Sequence, residues 1–290
     1  MERISNKAES LINAKQELKL AYVYEDKWIQ YDMASLALAR LETMLNMPRK
    51  LRPVSMLLVG RTNNGKSSIL KRFCDQNPPY RLDGESFANY PVLKITLPAT
   101  ANIGALYGKI LQKTYTPYRY SDSPEKKESK VFSSLKRLQV KILVVDEFQN
   151  ILSATDKKRF TTFQMLRDIS SELNISIVAA GTKMALSAIK GDDTLESRLI
   201  PFLLPKWELN EEFQSLLASV EYFMPFIESS NISDPLFAEA IYYKCDGSIG
   251  DAIQIVQEIA AFAIQHDRSK MLLSDIDKIN WKKSSNKVIV

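Results

Sequence analysis

Five short apolar runs divide the chain, at 54–59, 91–97, 142–145, 175–180 and 200–204. Each is shorter than a typical helix and reads as a strand, and the near-continuous apolar runs at 54–59 and 142–145 predict burial on both faces, as in a parallel sheet. Between the runs, hydrophobic residues recur at helical spacing. Leu36, Leu38, Leu41, Met44 and Leu45 predict a helix ending before Pro48, residues 102–115 predict another, and Phe160, Phe163, Leu166, Ile169 and Leu173 mark the packing stripe of a third over 156–173. Asn, Pro, Asp and Gly crowd 74–88, and 116–130 is polar with Pro117 and Pro124, so both stretches are expected to be loops, the second a mobile one. Pro201 and Pro205 place the last strand at a sheet edge, because proline cannot donate to a central ladder. Past residue 210 the strand runs stop, and helical patterns at 211–227, 235–244, 249–265 and 273–281 predict a small all-helical domain. Residues 2–20 are charged and helix-prone and read as an arm. The pattern predicts an α/β chain with a five-stranded parallel sheet, divided into an N-terminal helical segment 1–52, a core 53–208 and a helical lid 209–290.

The first run leads into Gly60-Arg61-Thr62-Asn63-Asn64-Gly65-Lys66-Ser67, followed by Ser68 and a helical pattern to residue 74. Every fixed position of the phosphate-loop pattern is met, in the strand–loop–helix context it requires. Backbone N–H groups of such a loop and the positive end of the helix surround phosphate oxygens. Lys66 would reach the outer phosphates, and the Ser67 hydroxyl would take one position on Mg2+, which prefers oxygen ligands. The third run ends in Asp146-Glu147, about 80 residues later. A buried parallel strand opens its C-terminal tip into the crevice where open α/β sheets bind ligands. There Asp146 would hold the metal ion and Glu147 would activate a water as a base. The fourth run ends in Gly181-Thr182, and Thr182 fits either a contact with the terminal phosphate or a turn cap. Trp28 and Tyr31 fit either core packing or contact with the nucleotide base.

Composition narrows the picture. The 290 residues are 45% hydrophobic and 25% charged, with no apolar stretch of membrane-spanning length, so no membrane partner is expected. Two cysteines, Cys74 and Cys245, form no metal spacing or disulfide framework, and the start carries no secretory pattern, so the chain is expected to be cytoplasmic. A single histidine, His266, argues against histidine-based acid–base or zinc chemistry. The net charge is +5, yet residues 101–141 hold nine Lys and Arg against three Asp and Glu, a net of +6 that leaves the rest near −1. That segment is either a solvated face or a footprint for a phosphate backbone. Lys109 and Lys113 lie four apart on one predicted helix face, with Arg119 beyond them, and no recognition helix or zinc finger accompanies them. A second basic run holds Lys282, Lys283 and Lys287.

With the core and lid in view, the chain resembles the AAA+ class of ATPases. More narrowly it is similar to the TniB family of transposition proteins, relatives of TnsC and MuB. The likeness rests on Pro48-Arg49 with Arg52, the run from Leu57 through Asn63-Asn64-Gly65-Lys66, Val145 to Asn150, Ala180-Gly181-Thr182, and Asp192-Asp193 through Arg198 to Pro205-Lys206-Trp207. It implies a P-loop AAA+ core with a C-terminal helical lid, using ATP and Mg2+. It also implies a ring- or filament-forming homo-oligomer that assembles on duplex DNA without reading sequence. Such a protein couples a target-selection protein of the TniQ type to a transposase, and ATP hydrolysis disassembles or remodels it. By the same likeness Lys66 and Ser67 bind phosphate and metal, Thr182 is a first sensor, and Arg198 is an arginine finger reaching a neighbour's ATP. Backbone-tracking DNA contacts are implied near Lys109, Lys113 and Arg119. Two departures stand out. The family often has His where this chain has Gln149, which reads as a position without essential chemistry, and the segment Gly247 to Asp251 lacks a second-sensor arginine. An alternative within the same fold is a signalling or scaffold ATPase that does not touch DNA.

Overall fold

Five parallel strands form one sheet, in the spatial order Val92–Thr96, Ile142–Asp146, Ser176–Gly181, Ser55–Val59 and Leu199–Leu203. The computed structural model describes residues 4–48, 52–84, 87–99, 102–190 and 192–282; Arg49, Lys283 and Lys287 fall outside these. In chain order, α1 (Asn6–Ser10), α2 (Gln16–Tyr24) and α3 (Asp32–Asn46) precede β1 (Ser55–Val59) and α4 (Lys66–Gln76). Next come β2 (Val92–Thr96), α5 (Ile103–Lys113), α6 (Pro124–Arg137) and β3 (Ile142–Asp146). A 3-10 turn over Phe148–Ser153 leads to α7 (Asp156–Leu173), β4 (Ser176–Gly181), α8 (Lys183–Ile189), α9 (Asp193–Arg198) and β5 (Leu199–Leu203). The chain continues with α10 (Glu211–Glu221), α11 (Pro235–Cys245), α12 (Ile249–Gln265) and a short 3-10 turn, Leu273–Asp275. Among the described residues no helix is long and apolar enough to cross a membrane.

Two compact units result, one of Met33–Arg61 and Lys66–Leu204, the other of Met1–Asp32, Thr62–Gly65 and Pro205–Val290. The first holds the sheet. β1, β3 and β4 are buried along their whole length, as their unbroken apolar runs require. β5 is the edge, and its Pro201 costs no ladder bond that a central strand would need. Because every strand is parallel, the C-terminal tips of β1, β3 and β4 lie along one edge of the sheet, and Gly60 N–H donates to the Gly181 carbonyl there at 3.1 Å. In the second unit Phe213, Leu216, Leu217, Val220, Ile241, Ile255 and Ile259 build one helical core.

Four expectations are corrected. Residues 124–130 are helix α6, not loop: Ser123 caps Lys126 N–H, Pro124 sits in the first turn where its missing N–H costs nothing, and Val131 and Leu135 are fully buried. Asp122 gathers Lys126 and Lys130, both at 3.1 Å, which ties down the polar stretch before it. The N-terminal stretch is docked rather than a free arm. Ser5 N–H donates to the Tyr222 carbonyl, the Gln257 amide donates to the Val23 carbonyl, and Val23 joins the helical core. The fourth lid helix is reduced to the 3-10 turn Leu273–Asp275. Finally, each packing stripe loses one expected residue: α3 buries Leu41, Met44 and Leu45 together with Ala34 and Ala37 while Leu36 is exposed, and α7 buries Phe163, Leu166 and Ile169 while Phe160 is exposed with the Arg167 guanidinium over its ring at 5.6 Å.

Candidate functional site

The loop that leaves β1 is held from its own residues. Asn63 and Gly65 adopt left-handed backbone, φ 61° and 80°, which turns successive N–H groups inward. Lys66, first residue of α4, is buried, and its ammonium donates to the carbonyls of Gly60 at 3.0 Å and Arg61 at 2.7 Å. Burial pushes the Lys66 pKa down, with Glu147 and Asp146 opposing the shift. Arg61, Thr62, Ser67 and Ser68 are exposed, so the mouth of the loop is open to a ligand.

The loop tip, Thr62–Gly65, belongs with the helical unit. Asn63 is its anchor: its amide donates to Asp251 at 2.6 Å, and its carbonyl accepts from Gly250 N–H at 2.9 Å and from the Ser248 hydroxyl at 3.2 Å. Asn64 is buried and donates to the Pro205 carbonyl at 2.9 Å, so its side chain braces the loop instead of lining it. A Cβ on Gly65 would stand 3.0 Å from the Tyr31 hydroxyl, and Tyr31 packs edge-on against Trp207 at 5.1 Å. Tyr31 is thus a packing residue of the helical unit, and burial pushes its pKa up to about 12.

At the tip of β3, Asp146 is buried. Its Oδ2 lies 3.1 Å from the Ser67 hydroxyl, which donates to it, and 3.0 Å from the Lys94 ammonium. A hydroxyl and a carboxylate oxygen side by side at the start of a helix suit Mg2+, which keeps several waters and completes its shell with substrate phosphates. Among the described residues no cluster of three or more His, Cys, Asp or Glu forms an all-protein cage.

Glu147 follows in left-handed conformation, φ 57°, its N–H donating to Asp146 Oδ1 at 3.0 Å. Its carboxylate accepts from the Gln149 amide at 2.6 Å, and the Gln149 carbonyl oxygen accepts from Thr182 N–H at 3.2 Å. Thr182 also caps α8, its hydroxyl accepting from Met184 N–H at 3.3 Å, so the turn-capping alternative holds whatever else the residue does. Gly60, Lys66, Ser67, Asp146, Glu147 and Thr182 are brought to one edge of the sheet.

Arg198 ends α9 and donates to the Ser171 hydroxyl on α7 at 3.0 Å. The α9 start is fixed by Asp192, which caps Leu195 N–H and pairs with Arg167 at 2.9 Å. In the basic segment the picture divides. Lys109 is turned onto the Thr96 carbonyl at 3.0 Å, and Lys127 and Lys130 donate to the carbonyls of Tyr120 and Pro117. Lys113 and Arg119 are exposed. Sequence reasoning missed Lys94, Gln149 and the Asn63 anchor. A lysine inside an otherwise apolar strand run was the available signal for Lys94; the other two are made by contacts distant in sequence.

The family model described as Bacterial TniB protein matches residues 19–209. No curated protein matches the sequence. Among solved structures, the Aeropyrum pernix ORC2 protein in ADPNP–ADP complexes aligns with a TM-score of 0.62 at 16% identity, over 88% of this chain and 70% of that one. The Aeropyrum pernix ORC1 protein in complex with DNA gives 0.62 at 14%, over 89% and 68%. Drosophila ORC bound to DNA gives 0.60 at 12%, over 96% and 67%. At such identities the likeness concerns the fold.

Proposed function

The chain belongs to the TniB family and carries the AAA+ ATPase fold, and from that premise we propose that it is an ATP-dependent regulator of DNA transposition. In this reading it oligomerises on duplex DNA with ATP and Mg2+, couples a TniQ-type target-selection protein to a transposase, and is released or remodelled by hydrolysis. The observation that carries the ATPase part is the meeting of Ser67 with Asp146 at 3.1 Å beside a complete phosphate loop. Loop N–H groups from Gly60 to Ser68 hold the phosphates, and Lys66 exchanges the carbonyls of Gly60 and Arg61 for phosphate oxygens. Ser67 and Asp146 would hold the metal, which would supply positive charge against that developing on the transferred phosphoryl group. Glu147 orients the water and takes its proton, Thr182 contacts the terminal phosphate as first sensor, and Arg198 of one subunit reaches the ATP of the next.

DNA contacts are assigned to Lys109, Lys113 and Arg119, through phosphates and without base reading. The capture of Lys109, Lys127 and Lys130 by main-chain carbonyls favours the second reading, a scaffold ATPase that does not bind DNA. A salt titration of duplex binding with ATP present separates the two. The DNA reading expects log affinity to fall linearly with log salt, and each true phosphate contact removed to lower that slope by about one, equally for unrelated sequences. No duplex binding at low salt refutes it. An unchanged slope in a Lys109→Ala, Lys113→Ala variant moves the contacts elsewhere, toward Lys282, Lys283 and Lys287.

A further inference from the structure

We propose that Gln149 is a positioning residue for the water-activating carboxylate, a bridge that fixes Glu147 against the tip of β4; this rests on reading Glu147 as the base. A glutamate side chain has three rotatable bonds, and Glu147 stands on left-handed backbone at the mouth of a crevice, so its carboxylate has no fixed direction of its own. Gln149 supplies one. Its amide nitrogen donates to Glu147 Oε2 at 2.6 Å, and its amide oxygen accepts from the main-chain N–H of Thr182 at 3.2 Å.

The two bonds together set the amide's orientation. Turned over, it would place oxygen against carboxylate and NH2 against N–H, two repulsive contacts in place of two attractive ones. A charge-assisted bond on one carboxylate oxygen leaves the other lone pairs for water and holds them in a constant direction. The chain makes room for this arrangement at Gly181. A Cβ there would stand 2.6 Å from the Gln149 amide oxygen and 2.8 Å from Ala185 Cβ, so any larger residue expels the bridge. Gln149 itself sits in the 3-10 turn Phe148–Ser153, whose Phe148 and Ile151 are fully buried, which fixes its backbone. Through Thr182 N–H the carboxylate is tied to the residue assigned as sensor, so Glu147 and Thr182 move as one piece.

By the resemblance alone, position 149 reads as one without essential chemistry, because His often stands there in the family. In this proposal its part is indirect: what position 149 supplies is an N–H donor within reach of Glu147.

The test compares Gln149→Met, similar in length but without a donor, with Gln149→His, whose ring N–H can reach the carboxylate. Steady-state ATP hydrolysis, fluorescent-ATP affinity and thermal unfolding are measured for each, alone and in a Glu147→Gln background. Misplacement of a reacting group by about 1 Å costs on the order of 100-fold. Gln149→Met is therefore expected to lower kcat by about 10- to 100-fold, with KM, ATP affinity and unfolding temperature near wild type. It should add no further loss in the Glu147→Gln background, since the group it positions is already disabled. Gln149→His should recover most of the rate. Unchanged or raised kcat in Gln149→Met, an equal loss added on top of Glu147→Gln, or a fall in ATP affinity that accounts for the rate would each overturn the proposal. Substantial hydrolysis by Glu147→Gln alone would instead remove the reading of Glu147 as base, a separate outcome.

Discussion

Gly250→Ala and Gly104→Ala make the same change at the second residue of a helix, α12 in one case and α5 in the other, and they should have opposite effects. In a helix interior alanine is favoured over glycine by up to about 1 kcal/mol, so local propensity alone predicts that both variants gain stability. At Gly104 the new methyl would meet only the cap oxygen of Asn102 at 3.3 Å, a side-chain atom that can give way. At Gly250 it would stand 2.7 Å from the Asn63 main-chain carbonyl oxygen and 2.5 Å from Asn63 Cγ, with the side-chain oxygen in its path as well. Main chain in left-handed conformation does not yield cheaply, so the loop tip must move and the Gly250 N–H to Asn63 and Asn63 to Asp251 bonds are strained or lost. Overpacking of this kind costs about 1–3 kcal/mol, and a hydrogen bond to a charged group about 1.5–3 kcal/mol. Less the propensity gain, the net is a destabilisation of roughly 1.5–5 kcal/mol, or roughly 3–20 °C in unfolding temperature for a chain of this size. Because the displaced backbone carries the phosphate-binding N–H groups, ATP affinity should fall too, tenfold for each ~1.4 kcal/mol lost. Thermal unfolding and a fluorescent-ATP titration read both effects. If Gly250→Ala matches Gly104→Ala in unfolding temperature and binds ATP as tightly as wild type, the Asn63 anchor is energetically idle and the reasoning fails.

Binding and hydrolysis should come apart by mutation: Lys66→Ala loses ATP affinity, whereas Glu147→Gln keeps ATP and hydrolyses it at least ~100-fold more slowly, and equal affinity loss in both refutes the assignment. Arg198→Ala should cost ~10³ in rate, and mixing it with Glu147→Gln should restore activity at mixed interfaces; a mixture as inactive as its parts leaves Arg198 as no more than the partner of Ser171. Burial pushes the Cys245 thiol up from 9.0 to about 11, so the folded state keeps a proton that the unfolded chain gives up. The resulting stability, roughly 2–3 kcal/mol, is full below about pH 9 and lost as pH rises toward 11. The stability gap between wild type and Cys245→Ala should therefore narrow over that window in urea titrations, and a constant gap would contradict the shift.

Much of this was legible because the informative signals are local. Strand, loop and helix at 54–74 follow one another in sequence, the carboxylates end a run that can only be a buried strand, and Pro201 announces an edge. What escaped depends on contacts between distant positions or on signals with two meanings. Pro124 breaks a helix if it stands inside one and starts a helix if it stands first; the Ser123 cap and the spacing of Val131 and Leu135 decide for the second, and the polar composition concealed them. The apolar side chains of residues 2–20 and Val23 beyond them do not by themselves say what they pack against, and the core that Val23 enters is made 190 or more residues later in the chain. Gln149 is unremarkable beside Glu147 until the pairing of β3 with β4 brings Thr182 alongside.

The missing second-sensor arginine gains a different meaning from the same geometry. An arginine on the lid would report on nucleotide by touching a phosphate directly. Here the residues at the start of α12, Ser248, Gly250 and Asp251, converge on Asn63 instead, through one hydroxyl, one main-chain N–H and one carboxylate. Asn63 lies in the loop that leaves β1, within the stretch Thr62–Gly65 that belongs to the helical unit. Moving the loop tip independently of the start of α12 would break three bonds, so joining the two needs no long charged side chain. It needs an asparagine that tolerates left-handed backbone, a glycine with no Cβ to hold it off, and a buried carboxylate to receive its amide.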